Sequence, residues 1–324
     1  MDLTAKIMDR AESGKTPSFD ELLHLASLGE NTPEAAELRR RADAMMRRRF
    51  SNKVMVLGQI GIENKPCPAD CAFCTFAQSS NSANEFMPEA EIVERALEMT
   101  SSGKLFALFL MAMHDFDRDR VLAAFRAVRK AVPASVKLVA NIGDCGRDYL
   151  DALRREGASG AYHVLRLREG TDTALEPASR IATIDAIKSA GLDWYTCCEP
   201  IGSEHTSREI VEQISVANEF SCFQNAAMAR VNFEGSRLSA NPEITPERLA
   251  QIVAVVAAAS AGNSEMRSVA VHEPEMLSLR SGANSLYAES GKNPRDKAPD
   301  TAKSRGRSVE DVIGMFRRAG FDTD

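Results

Sequence analysis

The feature that most constrains the fold of this chain is a regular alternation of strand-like and helix-like segments after residue 50. Short apolar runs of strand length are separated by segments with the apolar spacing of amphipathic helices. Alternating strands and helices favour parallel pairing through right-handed crossovers, and eight such units can close into a barrel. The sequence therefore predicts an α/β fold, a (β/α)8 TIM-type barrel whose active-site residues lie at the carboxyl ends of the strands. The candidate strands are Lys53–Ile60, Leu105–Met113, Val136–Ile142, Gly160–Leu165, Asp193–Ile201, Cys222–Val231, Arg267–Val271 and Asn284–Ala288.

The first fifty residues precede this alternation and have helical patterns. Ser18 stands before one apolar-periodic stretch, and Thr32 with Pro33 opens a second one. At the other end of the chain, Ser308 and Asp311 predict a capping box at the start of the last helix. We therefore predict an N-terminal helical extension over residues 1–50 and a barrel domain over residues 51–324.

Composition and charge argue against several classes of protein. The 324 residues carry a formal net charge of -6, whereas a sequence-independent grip on nucleic acid needs a basic surface. No window holds the roughly 18 uninterrupted apolar residues of a membrane span. The charged segment Met1–Lys15 lacks the apolar core of a signal peptide. Seven cysteines at irregular spacing are atypical of a secreted disulfide framework. We expect a cytoplasmic protein with no membrane or nucleic-acid partner.

Three of the cysteines, Cys67, Cys71 and Cys74, follow the first candidate strand in a CxxxCxxC spacing. A structural zinc site is the plain alternative, but such a site usually takes two pairs of ligands, and no second CxxC or HxxxH lies nearby. Thiolates are the usual protein ligands of iron–sulfur clusters. Three cysteines on one loop favour a [4Fe-4S] cluster with one iron left open to a chelating small molecule. Because the loop follows a barrel strand, we expect it at the active face.

The pattern CxxxCxΦC, whose aromatic position is Phe73 here, resembles the signature of the radical S-adenosylmethionine (SAM) superfamily. The resemblance implies that the open iron binds the amino and carboxylate groups of SAM and that Phe73 belongs to the cofactor site. One electron from the reduced cluster would cleave SAM to a 5′-deoxyadenosyl radical, which abstracts a hydrogen atom from the substrate. It also implies a reductase, or a ferredoxin- or flavodoxin-type protein, as the electron donor.

Within that superfamily the chain is most similar to the biotin synthase group, which includes the [FeFe]-hydrogenase maturase and methylornithine synthase. The similarity continues past the cysteines into Thr75–Ser80 and returns near the C-terminus in Leu279–Tyr287. A third similar segment, Arg180–Gly191, matches a helix of the group whose arginine binds the SAM carboxylate. The resemblance therefore implies that role for Arg180.

Further SAM contacts follow from the same resemblance. The segment that begins at Glu199 is similar to a turn beside the adenine, which implies contacts from Glu199 and Ile201. The strand end at residues 165–171 is similar to one where an arginine and a glutamate contact SAM. Arg168 and Glu169 are the candidates, and Arg166 is the competing arginine. The second strand of these relatives ends in a glycine-rich segment whose backbone receives the SAM amino group, and here Ala112 stands at its centre.

The remaining cysteines raise the question of an auxiliary cluster. In biotin synthase, three cysteines and an arginine from inner strands hold a second cluster that donates sulfur. Aligned by the surrounding segments, Arg267 matches that arginine, but the cysteine positions fall in Phe106–Leu110, near Val139 and near Thr196, where this chain has no cysteine in register. A cluster of that type is not expected. An auxiliary Fe-S cluster of a different type is one alternative, and its ligands would be Cys145, Cys197 or Cys198, and Cys222. The plain alternative is that these cysteines are buried free thiols.

Polar residues near predicted strand ends are candidates for a small-molecule substrate pocket. Asn141 and His163 are two of them, and Arg267 is the third. Histidine in such a place can bind a carboxylate or move a proton, although a structural role is common for each of these residues.

Together these features predict a radical SAM enzyme acting on a small amino-acid-like or cofactor-precursor substrate, with rearrangement or lyase chemistry after hydrogen abstraction. Sulfur insertion at unactivated carbon, as in biotin or lipoyl formation, is the first alternative and requires an auxiliary cluster. A non-catalytic iron–sulfur electron carrier is the second. The segment around Arg180 argues against a carrier, because a carrier needs no SAM site.

Overall fold

The computed structural model describes residues 3–272, 276–292 and 306–323. The strands are β1 Met55–Gly61, β2 Glu63–Asn64, β3 Glu85–Phe86, β4 Leu105–Met111, β5 Lys137–Asn141, β6 Ala158–Tyr162, β7 Asp193–Ile201, β8 Gln224–Ala229, β9 Ser268–His272 and β10 Ser285–Gly291. Parallel strands close into a barrel in the order β1-β10-β9-β8-β7-β6-β5-β4, which confirms the predicted (β/α)8 fold. A separate antiparallel ribbon joins β2 to β3 and was not predicted from the sequence.

Helices connect successive barrel strands and cover the outside of the barrel. They are α1 Leu3–Glu12, α2 Phe19–Ala26, α3 Pro33–Arg49, α4 Glu89–Thr100, α5 Arg118–Ala131, α6 Arg147–Arg155, α7 Pro177–Ser189, α8 Ser207–Glu219, α9 Pro246–Ala259, α10 Met276–Leu279 and α11 Val309–Ala319. Capping side chains set where several of them begin. The predicted box at α11 is present, because Ser308 accepts from the Asp311 N–H while the Asp311 carboxylate accepts from the Ser308 N–H. Within the described ranges, no helix is long and apolar enough to cross a membrane.

The N-terminal helices share the core of the barrel. Every residue of α9 from Leu249 to Ala259 is buried, and a helix that is apolar around its whole circumference must be covered on both sides. Its inner side packs on β8 and β9, and its outer side is covered by α1, α2 and α3. The division into an N-terminal helical extension over residues 1–50 and a barrel domain over residues 51–324 stays a prediction.

Aromatic side chains close the lumen of the barrel halfway along its axis. Phe109 stands at the centre, and its ring meets those of Tyr162, Tyr195 and Tyr287 edge-on, with centroid separations of 6.3, 5.2 and 5.1 Å. Such edge-to-face contacts are favourable beyond the area that they bury. We call these four residues the lumen floor. The space above it, at the carboxyl ends of the strands, stays open and forms the site.

Candidate functional site

The cysteine loop spans residues 65–84, between β2 and β3, at the carboxyl end of β1. Tight turns shape it: the Cys67 N–H donates to Phe76 O at 2.8 Å, the Asp70 N–H to Cys67 O at 3.1 Å, and the Cys74 N–H to Cys71 O at 3.0 Å. Cys67, Cys71 and Cys74 all line the cavity in the mouth of the barrel. The short β2–β3 ribbon joins the two ends of the loop, which holds it over that mouth.

The cavity has a volume of about 1200 Å³ when its solvent-filled mouth is included. It brings together eight of the residues predicted from the sequence. They are Cys67, Phe73, Cys71, Cys74, Ala112, Asn141, Arg180 and Glu199.

The three thiols fit an iron–sulfur cluster by number, type and location. Burial raises the pKa of Cys71 to about 12 and also raises the pKa of Cys67, so both are protonated at neutral pH. Ligation would release these protons. No group of three His, Cys, Asp or Glu side chains in the described part of the chain is set to hold a single metal ion. A [4Fe-4S] cluster requires a wider spacing of the thiols than a single metal ion does, because each thiolate binds a different iron.

Arg180 is buried in the wall of the cavity and already has partners. Its Nη1 donates to Asp144 Oδ1 at 2.7 Å, while Nε and Nη2 donate to Val164 O at 3.0 and 2.9 Å. Burial by itself would raise the pKa of Asp144, but the His163 hydrogen bond and the Arg180 charge prevail and hold that pKa well below its usual range. Arg180 therefore faces the cavity as one half of an internal ion pair, with further N–H groups available to a ligand.

His163 lies behind this wall, outside the cavity. Its Nε2 is 3.1 Å from Asp144 Oδ1, and its side chain is 2% exposed. Burial, together with the nearby charge of Arg180, lowers the pKa of His163 to about 3, so the imidazole is neutral. His163 therefore supports Asp144 from behind the cavity wall and does not contact the space available to a substrate.

Arg166 and Glu199 form the most accessible ion pair at the cavity. Arg166 Nε lies 3.2 Å from Glu199 Oε1, and the hydroxyl of Tyr162 donates to the other oxygen of Glu199. A backbone bond from the Leu167 N–H to Glu199 O at 2.9 Å ties the two strand ends together. Although burial opposes it, the charges of Glu199 and Glu169 raise the pKa of Arg166. The Arg166 side chain is 22% exposed, against 4% for Arg180.

Of the two arginines that the sequence left in competition, Arg166 lines the cavity and Arg168 does not. Arg168 has a left-handed backbone with φ 53°, which turns its side chain outward. There its Nε donates to Glu209 at 2.8 Å and its Nη2 to Glu204 O at 2.6 Å. The expectation that Arg168 reaches the cofactor site does not agree with this geometry.

Glu169 turns inward but is used within its own loop. Its carboxylate accepts from the Arg166 N–H at 2.9 Å and from the Thr173 hydroxyl at 2.6 Å, and lies 3.6 Å from Arg180 Nε. It stands behind the two arginines and outside the cavity lining. In this position it fixes the strand end that carries Arg166.

Ile201 and Arg267 lie away from the cavity, for different reasons. The Ile201 side chain points into the apolar layer between barrel and helices. Residues two apart in a regular strand share a face, but the register of β7 against β8 shifts between Cys198 and Ile201, so Ile201 does not follow Glu199 to the inner face. Arg267 precedes β9 and donates to the carbonyls of Ser264 and Met266. The whole of β9 therefore separates Arg267 from the carboxyl-end cavity, and the suggested substrate-pocket role has no support in the structure.

The four remaining cysteines lie in four different surroundings. Cys197 points into the lumen, and Cys198 points outward, with its Sγ 4.0 Å from Ile210 O. Cys222 lies beside Asn263 at the opposite end of the barrel, and Cys145 follows β5. Cys145 follows the carboxyl end of β5 and Cys222 precedes the amino end of β8, so these two cysteines lie at opposite ends of the barrel and cannot share one cluster with either Cys197 or Cys198. The alternative auxiliary cluster built from these residues does not agree with the structure.

One cavity residue that was not found from the sequence is Gln59. Gln59 links Asn141 to β10: the Asn141 Nδ2 donates to Gln59 Oε1 at 2.8 Å, and Gln59 Nε2 donates to Glu289 Oε1 at 3.2 Å. A lone amide inside the apolar run of β1 was the available signal. His272, which directly follows the candidate strand Arg267–Val271, lies where the sequence placed a strand-end histidine: it lines the cavity and stacks on Tyr287, with ring centroids 4.4 Å apart.

Comparison with known proteins gives relatives at low identity over nearly the whole chain. No protein-family model matches. The biotin synthase of Streptomyces avermitilis is 24% identical over 345 aligned positions, which span 100% of this chain and 83% of that protein. The biotin synthase of Carboxydothermus hydrogenoformans is also 24% identical, across 98% of this chain and 97% of that protein.

Solved structures of two radical SAM proteins share the fold. Methylornithine synthase (PylB) superposes with a TM-score of 0.82 at 15% identity, covering 98% of this chain and 96% of that one. The FeFe-hydrogenase maturase HydG from Carboxydothermus hydrogenoformans superposes with a TM-score of 0.77 at 14% identity, covering 98% of this chain and 78% of that one. These two structures confirm the fold, and the sequence relatives confirm the predicted resemblance to the biotin synthase-like group of the radical SAM superfamily.

Proposed function

We propose that this protein, a biotin synthase-like member of the radical SAM superfamily, cleaves SAM reductively and abstracts hydrogen from a small amino-acid-like or cofactor-precursor substrate. The observation that carries the proposal is the convergence of Cys67, Cys71 and Cys74 with two arginines on one cavity at the carboxyl end of the barrel. These cysteines would hold a [4Fe-4S] cluster. When bound and reduced, such a cluster supplies the electron that converts SAM into methionine and a 5′-deoxyadenosyl radical.

The residues of the cavity would bind and orient SAM. Arg166, the more exposed of the two arginines, offers a cation that Glu199 and Tyr162 hold in place. Arg180 offers further N–H groups from the wall. Guanidinium groups suit a carboxylate ligand because their planar N–H fork can bind both of its oxygens. We propose that Arg166 and Arg180 together receive the carboxylate of SAM.

The lumen floor would protect the reaction from water. Phe109 and the tyrosine rings around it close the barrel below the cavity, so reactants can enter from the carboxyl end. Exclusion of water prevents side reactions of a reactive intermediate. The same rings favour rearrangement or lyase chemistry over sulfur insertion, since they fill the lumen at the depth of the inner strands, where an auxiliary cluster would have to lie.

An electron carrier without catalysis is the weaker candidate. A carrier gains nothing from a cavity beside its cluster that is lined by the Arg166–Glu199 ion pair and by Arg180. For the enzyme, the electron would come from a reductase or from a ferredoxin- or flavodoxin-type protein, which together with a cytoplasmic location is part of the proposal.

Anaerobic reconstitution with iron and sulfide, followed by dithionite and SAM, tests the proposal. We expect about four irons per chain, the absorption of a [4Fe-4S] cluster and formation of 5′-deoxyadenosine. Sulfur insertion predicts about eight irons per chain instead, because it needs a second cluster. An intact cluster that yields no 5′-deoxyadenosine, alone or with the amino acids and cofactor precursors tried as substrates, would favour the carrier.

The matched variants are Cys71→Ala and Cys222→Ala. Both remove a buried thiol, but only Cys71 lines the cavity. We expect Cys71→Ala to lose iron and activity and Cys222→Ala to keep both. Retention of a full cluster by Cys71→Ala would contradict the ligand assignment.

A further inference from the structure

The loop between β8 and α9, residues 230–245, reaches across the mouth of the barrel to the cysteine loop. The hydroxyl of Ser236 donates to Ala72 O at 3.0 Å. Arg237 Nη1 donates to Asp70 Oδ2 at 2.8 Å, and Nη2 donates to the carbonyl oxygen of Asp70. Two side chains of one loop thus bind the stretch of the other loop that lies between Cys67 and Cys74.

The same stretch is held from its other side by the loop between β6 and α7. The Ala72 N–H donates to Asp172 O at 2.8 Å, and the Ala174 N–H donates to Ala69 O at 2.8 Å. Both backbone groups of Ala72, the residue after Cys71, are therefore engaged, one by each neighbouring loop. The cysteine loop is clamped between a backbone contact on one side and a side-chain contact on the other.

The β8–α9 loop is itself firmly anchored. Arg230, which is 2% exposed, pairs through Nε and Nη2 with the Glu204 carboxylate at 3.1 and 3.0 Å. Its Nη2 also donates to Asn241 O and Pro242 O at 3.1 Å each, and the Ser203 hydroxyl donates to Pro242 O at 2.9 Å. Buried charge-assisted bonds of this kind are strong, so Ser236 and Arg237 project from a fixed support.

We propose that Ser236 and Arg237 are positioning residues that hold the cysteine loop in its ligand-binding conformation. The contacts are few and Arg237 is 48% exposed, so they add little to global stability. Their effect is local, because opening of a loop depends on the bonds that the loop itself breaks. The inference rests on the proposed function only for its consequence, which is retention of the cluster.

Alkylation of cysteines in the cluster-free protein measures opening of the loop directly. Cys71 is 7% exposed and reacts when the loop opens, whereas Cys222 is fully buried at the far end of the barrel and reports opening of the core. Mass spectrometry of the digested protein gives both rates in one sample. We expect Ser236→Ala to speed labelling of Cys71 by about tenfold, the worth of one well-buried hydrogen bond. Arg237→Ala should speed it by about threefold, because the Arg237 side chain is 48% exposed and water screens its ion pair with Asp70. The rate of Cys222 should not change in either variant.

Two variants serve as controls. Ser236→Thr keeps the hydroxyl and should keep the slow rate. Arg126→Ala removes another arginine of similar exposure, 52%, which binds Glu156 on the outer surface, and it should change neither rate. Equal labelling of Cys71 in the wild type, Ser236→Ala and Arg237→Ala would overturn the inference.

Iron release gives the consequence a separate readout. After reconstitution, we expect both variants to lose iron to a ferrous chelator faster than the wild type, by about tenfold for Ser236→Ala and about threefold for Arg237→Ala, in step with the labelling rates. If the wild type takes up no cluster, the proposed function fails while the labelling still decides the role of the two residues. If the wild type loads and labelling does not respond to the variants, the inference fails and the proposed function stands.

Discussion

Asp144 Oδ1 accepts a hydrogen bond from Arg180 Nη1 at 2.7 Å, within the wall of the cavity. The Arg180 side chain is 4% exposed and that of Asp144 is 21% exposed. The next carboxylate, that of Glu169, is 3.6 Å from Arg180 Nε. Because a guanidinium removed from water needs a close counter-charge, Asp144 is the main support of this cation. The pair therefore builds the wall and sets how strongly Arg180 can bind a ligand.

Replacing Asp144 by alanine should destabilise the protein by about 3 kcal/mol, since removing one partner of a buried pair leaves the other charge uncompensated. Urea unfolding of the cluster-free protein measures the change in the free energy of unfolding.

Asp151→Ala is the matched control. Asp151 lies 3.5 Å from Arg147 on the exposed side of α6, where an ion pair contributes less than about 0.5 kcal/mol. Equal effects of the two substitutions would mean that Asp144 does not support a buried charge.

His163 gives the stability of the protein a predictable dependence on pH. Burial lowers the pKa of His163 to about 3 in the folded state, while the imidazole of an unfolded chain has a pKa of about 6.5. Between these values the unfolded chain binds the additional proton, so stability rises with pH. The contribution is fully present above pH ~6.5 and is lost as the pH falls toward ~3.

His163→Gln should therefore reduce the slope of unfolding free energy against pH between about pH 6.5 and 4.5, a window above the usual carboxylate range. Urea midpoints across that window give the measurement. A slope as steep as that of the wild type would show that the buried imidazole does not titrate on unfolding as proposed.

Much of the fold could be predicted because the apolar periodicity of a segment agreed with the residues that mark where the segment begins and ends. The run predicted at Asp193–Ile201 is β7 to the residue, and Ser308 with Asp311 marks the start of α11. The run predicted at Gly160–Leu165 appears as Ala158–Tyr162. Val164, which lies past the end of this strand, is apolar because it packs in the lumen cluster and not because it extends the ladder.

The site could be predicted less completely. The three cluster cysteines could be predicted because their spacing is visible in the sequence. The convergence of polar residues at the strand ends could be predicted because the carboxyl ends of all barrel strands lie at the same face. The choice between Arg166 and Arg168 depends instead on the left-handed backbone at Arg168, a conformation that non-glycine residues seldom adopt and that no periodicity indicates. Gln59 acts through Asn141 across the barrel, and its role required the register of three strands.

Arg166→Ala should weaken SAM binding by about tenfold or more, because a charge-assisted bond to the ligand is lost and Glu199 is left without its cation. Equilibrium binding of SAM to the reconstituted protein is the measurement. Arg168→Ala is the control, since its side chain binds Glu209 outside the cavity, and it should change the affinity by less than about twofold. A larger loss of SAM affinity in Arg168→Ala than in Arg166→Ala would instead support Arg168 as the SAM-binding arginine, as the sequence suggested.

Gly143 is required where the segment that follows β5 passes close to the backbone of the segment that follows β4. A Cβ at this position would lie 2.0 Å from His114 O and 2.6 Å from His114 Cα and carbonyl carbon. These are backbone atoms beside the cavity, so they cannot turn aside as a side chain would, and relief requires the two segments to move apart. Gly143→Ala should lower the free energy of unfolding by at least about 2 kcal/mol through this overpacking.

Gly146→Ala is the matched control three residues later, because a Cβ there meets nothing within 4 Å. This change at the start of α6 should cost under about 1 kcal/mol. Urea unfolding of both variants decides the matter, and similar losses would mean that the two segments adapt to a methyl group.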